Sequence, residues 1–311
     1  MPEISPALFR AGSGEPVVLL HGFTGTWHHW RPVLGDLVAR YEVIAPTLAG
    51  HAGGPPLQVT TESAISHAAD HLEGHLDDLG VGTAHFVGNS MGGALSLELA
   101  KRGRARSVVA LSPGGLWAIG GPEPARIAAF FARQVRLTKA SAARAHLIVK
   151  RPGARHLAFR DIMRFGELVS PADAADLMRT SVQCTVVDQV IQALRAGQAH
   201  LEGLEQIDAP VRVAWAQMDR ILPMALHAGR ARREIRGVDY VVMPKVGHVP
   251  MWDDTRLVVR TITEFVDRHV TGEAATATTA TAGRSSAGRS RSSSSPMAPT
   301  ASFPLEDDMF A

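Results

Sequence analysis

The chain predicts an α/β protein: a mostly parallel sheet flanked by helices, with a helical segment inserted between two strands. Three observations carry this. Short apolar runs of strand length alternate with amphipathic stretches of helix length, the pattern of successive βα units. Runs such as Val17-Val18-Leu19-Leu20 and Val43-Ile44-Ala45 are continuously apolar, as strands covered by helices on both faces are. Residues 118–206 then break the alternation, with several helical segments and no convincing strand.

In chain order, Val17–Leu20 predicts a buried strand, Arg31–Arg40 a helix and Val43–Ala45 a strand. Ser63–Leu79 predicts a helix, because Ile65, Ala68, Ala69, Leu72, Leu76 and Leu79 fall on one stripe. Ala84–Val87 is a strand, Met91–Lys101 a helix and Ser107–Leu111 a strand. Beyond the insertion, Val211–Ala216 and Tyr240–Met243 read as strands, followed by helices at Met224–Ile235 and Asp254–His269 respectively. The expected organisation is a core from 1–117 and 207–270, a helical cap at 118–206, and a tail at 271–311. The tail is dominated by Ala, Thr, Ser, Gly, Pro and Arg. It has too little apolar side chain to offset its ordering entropy, and predicts disorder.

The bulk numbers narrow the function classes. With 45% hydrophobic and 20% charged residues, the composition is that of a soluble globular protein. A formal net charge of +2 gives no electrostatic reason to invoke nucleic acid or a membrane surface as partner. The insertion's first half is basic, with Arg126, Arg133, Arg136, Lys139 and Arg144, and reads first as a solvated helical surface. Cys184 is the single cysteine, so an intrachain disulfide is impossible and a reducing, cytoplasmic setting is expected. The N-terminal residues lack a basic region followed by an apolar run, which predicts no signal peptide, and no run approaches the length of a membrane span.

The chemistry is carried by Phe86-Val87-Gly88-Asn89-Ser90-Met91-Gly92-Gly93. An apolar strand enters Gly-x-Ser-x-Gly and a helix leaves it, the context of a nucleophile elbow. The turn is tight enough that only glycine can flank the serine. A serine hydroxyl is a weak nucleophile until a base activates it and a carboxylate orients that base. In a parallel sheet these partners belong at the carboxyl ends of strands. Asp219 follows Val211–Ala216 at that end, whereas Asp208 precedes the strand. His248 lies in a loop beyond Tyr240–Met243. The order Ser90, Asp219, His248 therefore predicts a catalytic triad. The oxyanion donors expected are the Met91 N–H, at a helix N-terminus, and the Phe23 N–H of His21-Gly22-Phe23. Gly22, Asn89, Trp117 and Trp252 are expected to contact substrate. No metal or cofactor is expected, and the partner is a small-molecule substrate.

These pieces resemble the α/β-hydrolase superfamily from about residue 8 to 270: His21-Gly22-Phe23, Gly88-Asn89-Ser90-Met91-Gly92-Gly93, Trp215-Ala-Gln-Met-Asp219 and Gly247-His248. The resemblance implies Ser90 as nucleophile, His248 as general base then acid, Asp219 as its orienter, and the insertion as a helical cap. Thr47-Leu48-Ala49-Gly50-His51 departs from the Asp-x-Arg-Gly-His of many relatives. The expected activity is hydrolysis of a small carboxylic ester. A serine at the elbow sets the chain apart from epoxide hydrolases and haloalkane dehalogenases, whose elbow carries aspartate.

Alternatives come from other features. The elbow, Ser112-Pro113-Gly114-Gly115 and Trp252 resemble the meta-cleavage-product hydrolases, which cleave carbon–carbon bonds of aromatic ring-fission products. Perhydrolase or haloperoxidase chemistry uses the same triad. A small-molecule-binding protein on this fold would leave Ser90 dispensable. His67, His71 and His75 share a helical face at i, i+4 and i+8, which reads as a solvated helix shoulder before a zinc site.

Overall fold

The computed structural model describes residues 2–57, 64–141 and 144–270. The expected tail at 271–311 and the helix start at Ser63 lie outside them.

The elements run β1 (Glu3–Ile4), β2 (Leu8–Ala11), β3 (Pro16–Leu20), α1 (Arg31–Val38), β4 (Glu42–Pro46), α2 (Ala64–Asp78), β5 (Ala84–Asn89), α3 (Met91–Lys101) and β6 (Ala105–Leu111). Five helices follow: α4 (Glu123–Ser141), α5 (Ala145–Ile148), α6 (Pro152–Phe159), α7 (Pro171–Val182) and α8 (Val187–Arg195). The chain then returns to the sheet through β7 (Val211–Ala216), α9 (Met224–Glu234), β8 (Asp239–Met243) and α10 (Thr255–Val266).

The eight strands form one sheet in the order β1-β2-β4-β3-β5-β6-β7-β8. β1 and β2 pair antiparallel at one edge, and β3 to β8 are parallel. The edge pair is not predicted by the sequence pattern, for a physical reason. β1 has two exposed residues and β2 buries only Leu8 and Phe9, so neither makes an apolar run.

The pleat sends alternate residues to opposite faces. Val17, Leu19, Val43 and Val87 pack with Val33 and Leu37 of α1 and Ile262 and Phe265 of α10. Val18, Leu20, Ile44 and Phe86 pack on the other face with Leu72 and Leu76 of α2 and with Leu95 and Leu99 of α3. Each large aliphatic side chain so buried contributes about 1.5–3 kcal/mol. α3, buried from Gly92 to Ala100, is the most enclosed helix against β5 and β6.

The segment between β6 and β7 contains no strand among the described residues, and α4 packs on α7 and α8. No helix among the described residues is long and apolar enough to cross a membrane.

Candidate active site

β5 ends at Asn89 and α3 begins at Met91, leaving Ser90 alone at the turn with φ 57° and ψ −113°. For a residue with a side chain, such a conformation costs on the order of 1–3 kcal/mol and persists only where neighbours impose it. The neighbours are visible. Ser90 N–H donates to Leu111 O at 3.0 Å, and Ser90 O accepts from Ala94 and Gly114 N–H at 3.0 and 2.9 Å. A Cβ on Gly88 would sit 2.1 Å from Gly92 O, and one on Gly92 would sit 2.0 Å from Leu20 O. The flanking glycines are thus dictated by backbone meeting backbone.

The carboxyl ends of β7 and β8 are laced together. Gln217 N–H donates to Met243 O at 2.9 Å and Met218 N–H to Val246 O at 3.0 Å. This lacing carries Asp219 to His248, whose Nδ1 lies 2.6 Å from Asp219 Oδ2. The other carboxylate oxygen accepts from Ile221 and Leu222 N–H at 2.9 and 2.8 Å. An acceptor-only carboxylate makes His248 Nδ1 the donor, leaving Nε2 as the basic nitrogen. The side chains are 4% and 0% exposed, so the pair is shielded from water.

Beyond β3, His21-Gly22-Phe23 turns tightly, closed by Gly25 N–H to Gly22 O at 3.0 Å, with Thr24 at φ 63°. Gly22 allows close approach, since a Cβ there would lie 3.3 Å from Ser90 Cβ. His21 is fully buried; its Nδ1–H donates to Gly22 O at 2.8 Å and its Nε2 accepts from Leu48 N–H at 2.9 Å. Phe23 N–H has no hydrogen-bond partner among the described residues. Met91 N–H, at the first position of α3, has none within the helix. His29 and His51 lie by this turn, and burial pushes both rings down to about 4, with His28 adding to the effect at His29. Burial, with His51 nearby, also holds His21 well below the usual histidine range. The three are neutral at pH 7.

Ser90 borders two cavities. The smaller, about 120 Å³, is lined largely by apolar side chains, including Leu48, Leu72, Trp117, Ile127 and Leu194, with Met91 and Gly114 beside the serine. The larger, about 520 Å³, is lined by His248 and Val249 together with Gln134, Thr138, Arg160 and Ser181. Phe23, Phe131 and Ile221 border both.

The expected contact residues separate accordingly. Gly22 and Asn89 line the larger cavity and Trp117 the smaller. Asn89 also ties the strand end to its neighbours, its amide donating to His248 O at 2.8 Å and Leu111 O at 3.2 Å. Trp252 is a correction. It lines neither cavity and packs, half-buried, on the core face shared by α1 and α10. The rings of His67 and His71 are 5.0 Å apart, and no group of three ligating side chains among the described residues is placed to hold a metal.

Asp253 is a residue that sequence reasoning missed. Its carboxylate accepts from Gly247 N–H at 2.7 Å and from Arg164 and Phe165 N–H, each at 2.8 Å, so it clamps the His248 loop to the helical insertion. An acid five residues after the histidine was the only available signal, and Asp254 beside it caps α10 by accepting from Leu257 N–H.

Comparisons with known proteins identify the family and the fold. A family model described as "Alpha/beta hydrolase family" matches residues 17–261. The chain is 30% identical over 201 residues to the epoxide hydrolase EphH of Mycobacterium tuberculosis, covering 64% of this chain and 93% of that protein. It is 37% identical over 114 residues to a 2-hydroxy-6-oxo-6-phenylhexa-2,4-dienoate hydrolase of Burkholderia cepacia, a match covering 35% of this chain and 40% of the relative. A thermophilic esterase from Thermogutta terrifontis superposes with a TM-score of 0.62 at 22% identity, covering 85% of this chain and 94% of that one.

Proposed function

The chain belongs to the alpha/beta hydrolase family and is a hydrolase of that type, and from that premise we propose that it cleaves a small carboxylic ester by acyl transfer through Ser90, His248 and Asp219. The observation that carries the proposal is that His248, held by the buried Asp219, lines the same cavity as the strained Ser90.

Ser90 attacks the ester carbonyl while His248 Nε2 takes its proton. Asp219 stabilises the imidazolium and holds the tautomer. The oxyanion is received by the Phe23 and Met91 N–H groups, each worth about 3 kcal/mol of transition-state stabilisation. His248 then protonates the departing alcohol. Water, activated by the same imidazole, releases the acid and restores Ser90. Residues 118–206 act as the cap that encloses the substrate.

The likeness to an epoxide hydrolase does not transfer its named chemistry. A serine oxygen opening an epoxide forms an ether, and the triad has no route to hydrolyse it. Attack on a carbonyl forms an acyl-enzyme, which water can resolve. A second reading, hydrolysis of a carbon–carbon bond beside a ketone, is favoured by the 37% identity to a dienoate hydrolase. The same acyl-enzyme would form there, with a stabilised carbanion leaving.

A fluorophosphonate probe tests the nucleophile: it should label the protein once, at Ser90, and fail on Ser90→Ala. No labelling of the native protein would end the proposal. p-Nitrophenyl esters assayed beside a dienol ring-fission product separate the two leaving groups.

A further inference from the structure

We infer that the two cavities divide the substrate at the scissile bond, the smaller taking a compact apolar acyl group and the larger a bulkier alcohol. The inference rests on the ester-hydrolase reading and deepens it.

The assignment of sides comes from the imidazole. A leaving alcohol must depart within reach of the group that protonates it. His248 and Val249 line the larger cavity and not the smaller. The acyl group, joined to Ser90 and pointing away from the leaving oxygen, is left with the smaller cavity, where Met91 and Gly114 flank the serine.

Size and chemistry agree. An apolar cavity of roughly 150 Å³ holds a benzene. The smaller cavity, at about 120 Å³, suits a short or branched alkyl chain and is tight for a phenyl ring. Its walls come from α2, α4 and α8 through Leu72, Ile127, Val190 and Leu194. The larger cavity, at about 520 Å³, carries Gln134, Thr138 and Ser181, and its rim holds Arg133 and Arg160, each 3.9 Å from Asp161. The rest of its lining, Phe130, Leu157, Phe159, Leu177 and Met178 among it, is apolar, which suits a bulky hydrocarbon alcohol.

Two half-buried alanines allow a test on the 311-residue chain. Ala68 of α2 lines only the smaller cavity, and Ala158 of α6 only the larger. kcat/KM would be measured for p-nitrophenyl acetate, butanoate, hexanoate and decanoate, and for butanoate esters of ethanol, cyclohexanol and benzyl alcohol. The native protein should favour acetate or butanoate by about tenfold or more over decanoate, and cyclohexyl or benzyl butanoate over ethyl butanoate. Ala68→Phe should shorten the acyl range and leave the order of alcohols unchanged. Ala158→Phe should penalise the large alcohols and leave the acyl profile unchanged. If Ala68→Phe does not fold, Val190→Ala should lengthen the accepted acyl chain, and if Ala158→Phe does not fold, Leu157→Ala should relax the alcohol limit. Reversed effects, or a decanoate preference in the native protein, would overturn the inference while fluorophosphonate labelling of Ser90 left the hydrolase reading standing. Absence of both labelling and turnover would overturn the reading and the inference together.

Discussion

His248 Nδ1 and Asp219 Oδ2 stand 2.6 Å apart although 29 residues separate them, and neither side chain is more than 4% exposed. Asp219 also accepts from Ile221 and Leu222 N–H, so one carboxylate satisfies three donors. Asp219→Asn removes an acceptor from that set and lets the imidazole adopt the unproductive tautomer. kcat should fall by about 10⁴-fold. Stability should fall by about 1–3 kcal/mol, because a buried donor loses its partner. Steady-state assays and urea titration check both, and a variant within tenfold of native activity would contradict the assigned role.

Ser90→Ala should reduce kcat by about 10⁴-fold or more while leaving the melting temperature nearly unchanged. Ser90→Gly should be equally inactive yet melt higher, since glycine adopts the positive φ of 57° without strain. Equal melting temperatures for the alanine and glycine variants would show that the turn stores no strain.

Gly88→Ala and Gly92→Ala should each cost about 4 kcal/mol or more, the new methyl meeting a carbonyl oxygen at 2.1 and 2.0 Å. Gly114→Ala should be tolerated, its nearest neighbour being Ser90 O at 3.7 Å. Gly22→Ala falls between: its Cβ would press on Ser90 Cβ at 3.3 Å, so activity should fall more than stability does. Soluble yield, thermal melts and kcat on the four variants decide the ranking.

Asp253→Ala should loosen the clamp between the His248 loop and the insertion. The expected result is a raised KM with a lower kcat, and slower fluorophosphonate labelling. A change in melting temperature alone, with kinetics intact, would assign Asp253 to the scaffold.

Stability should decline as the pH falls from about 6.5 to about 4. Burial pushes His51 and His85 down to about 4 in the folded protein, with the Arg106 charge adding at His85 and Glu15 opposing it, and it lowers His21 as well. Unfolded histidines take up protons near 6.5. Between these values the unfolded state binds more protons, so stability rises with pH and is lost on acidification. His51 and His85 each contribute up to about 3 kcal/mol of this loss. Carboxylates held below their usual range, such as Asp239 beside Arg212, add to it only below about 4. Urea midpoints at pH 7.5, 6.0 and 5.0 measure the slope, and a flat response would contradict it.

The residues alone announced the alternation of strand and helix, the glycine-flanked turn at Ser90, and the order Ser90, Asp219, His248. Each is a local signal: apolar periodicity follows from which face an element buries, and the elbow glycines follow from a turn too tight for side chains. Other features were illegible because they depend on chain segments far apart in sequence. β2 exists through pairing with β4, and β1 through pairing with β2, since neither carries an apolar run of its own. Trp252 looked like a pocket residue from its distance to His248 along the chain, but it lines neither cavity and packs, half-buried, against the core. Asp253 acts by accepting from backbone N–H groups nearly ninety positions away. The two cavities at Ser90 arise where α4, α6, α7 and α8 settle over the sheet. Packing of the insertion decides their volumes and which of them holds the imidazole, and hydrophobic periodicity carries no record of either.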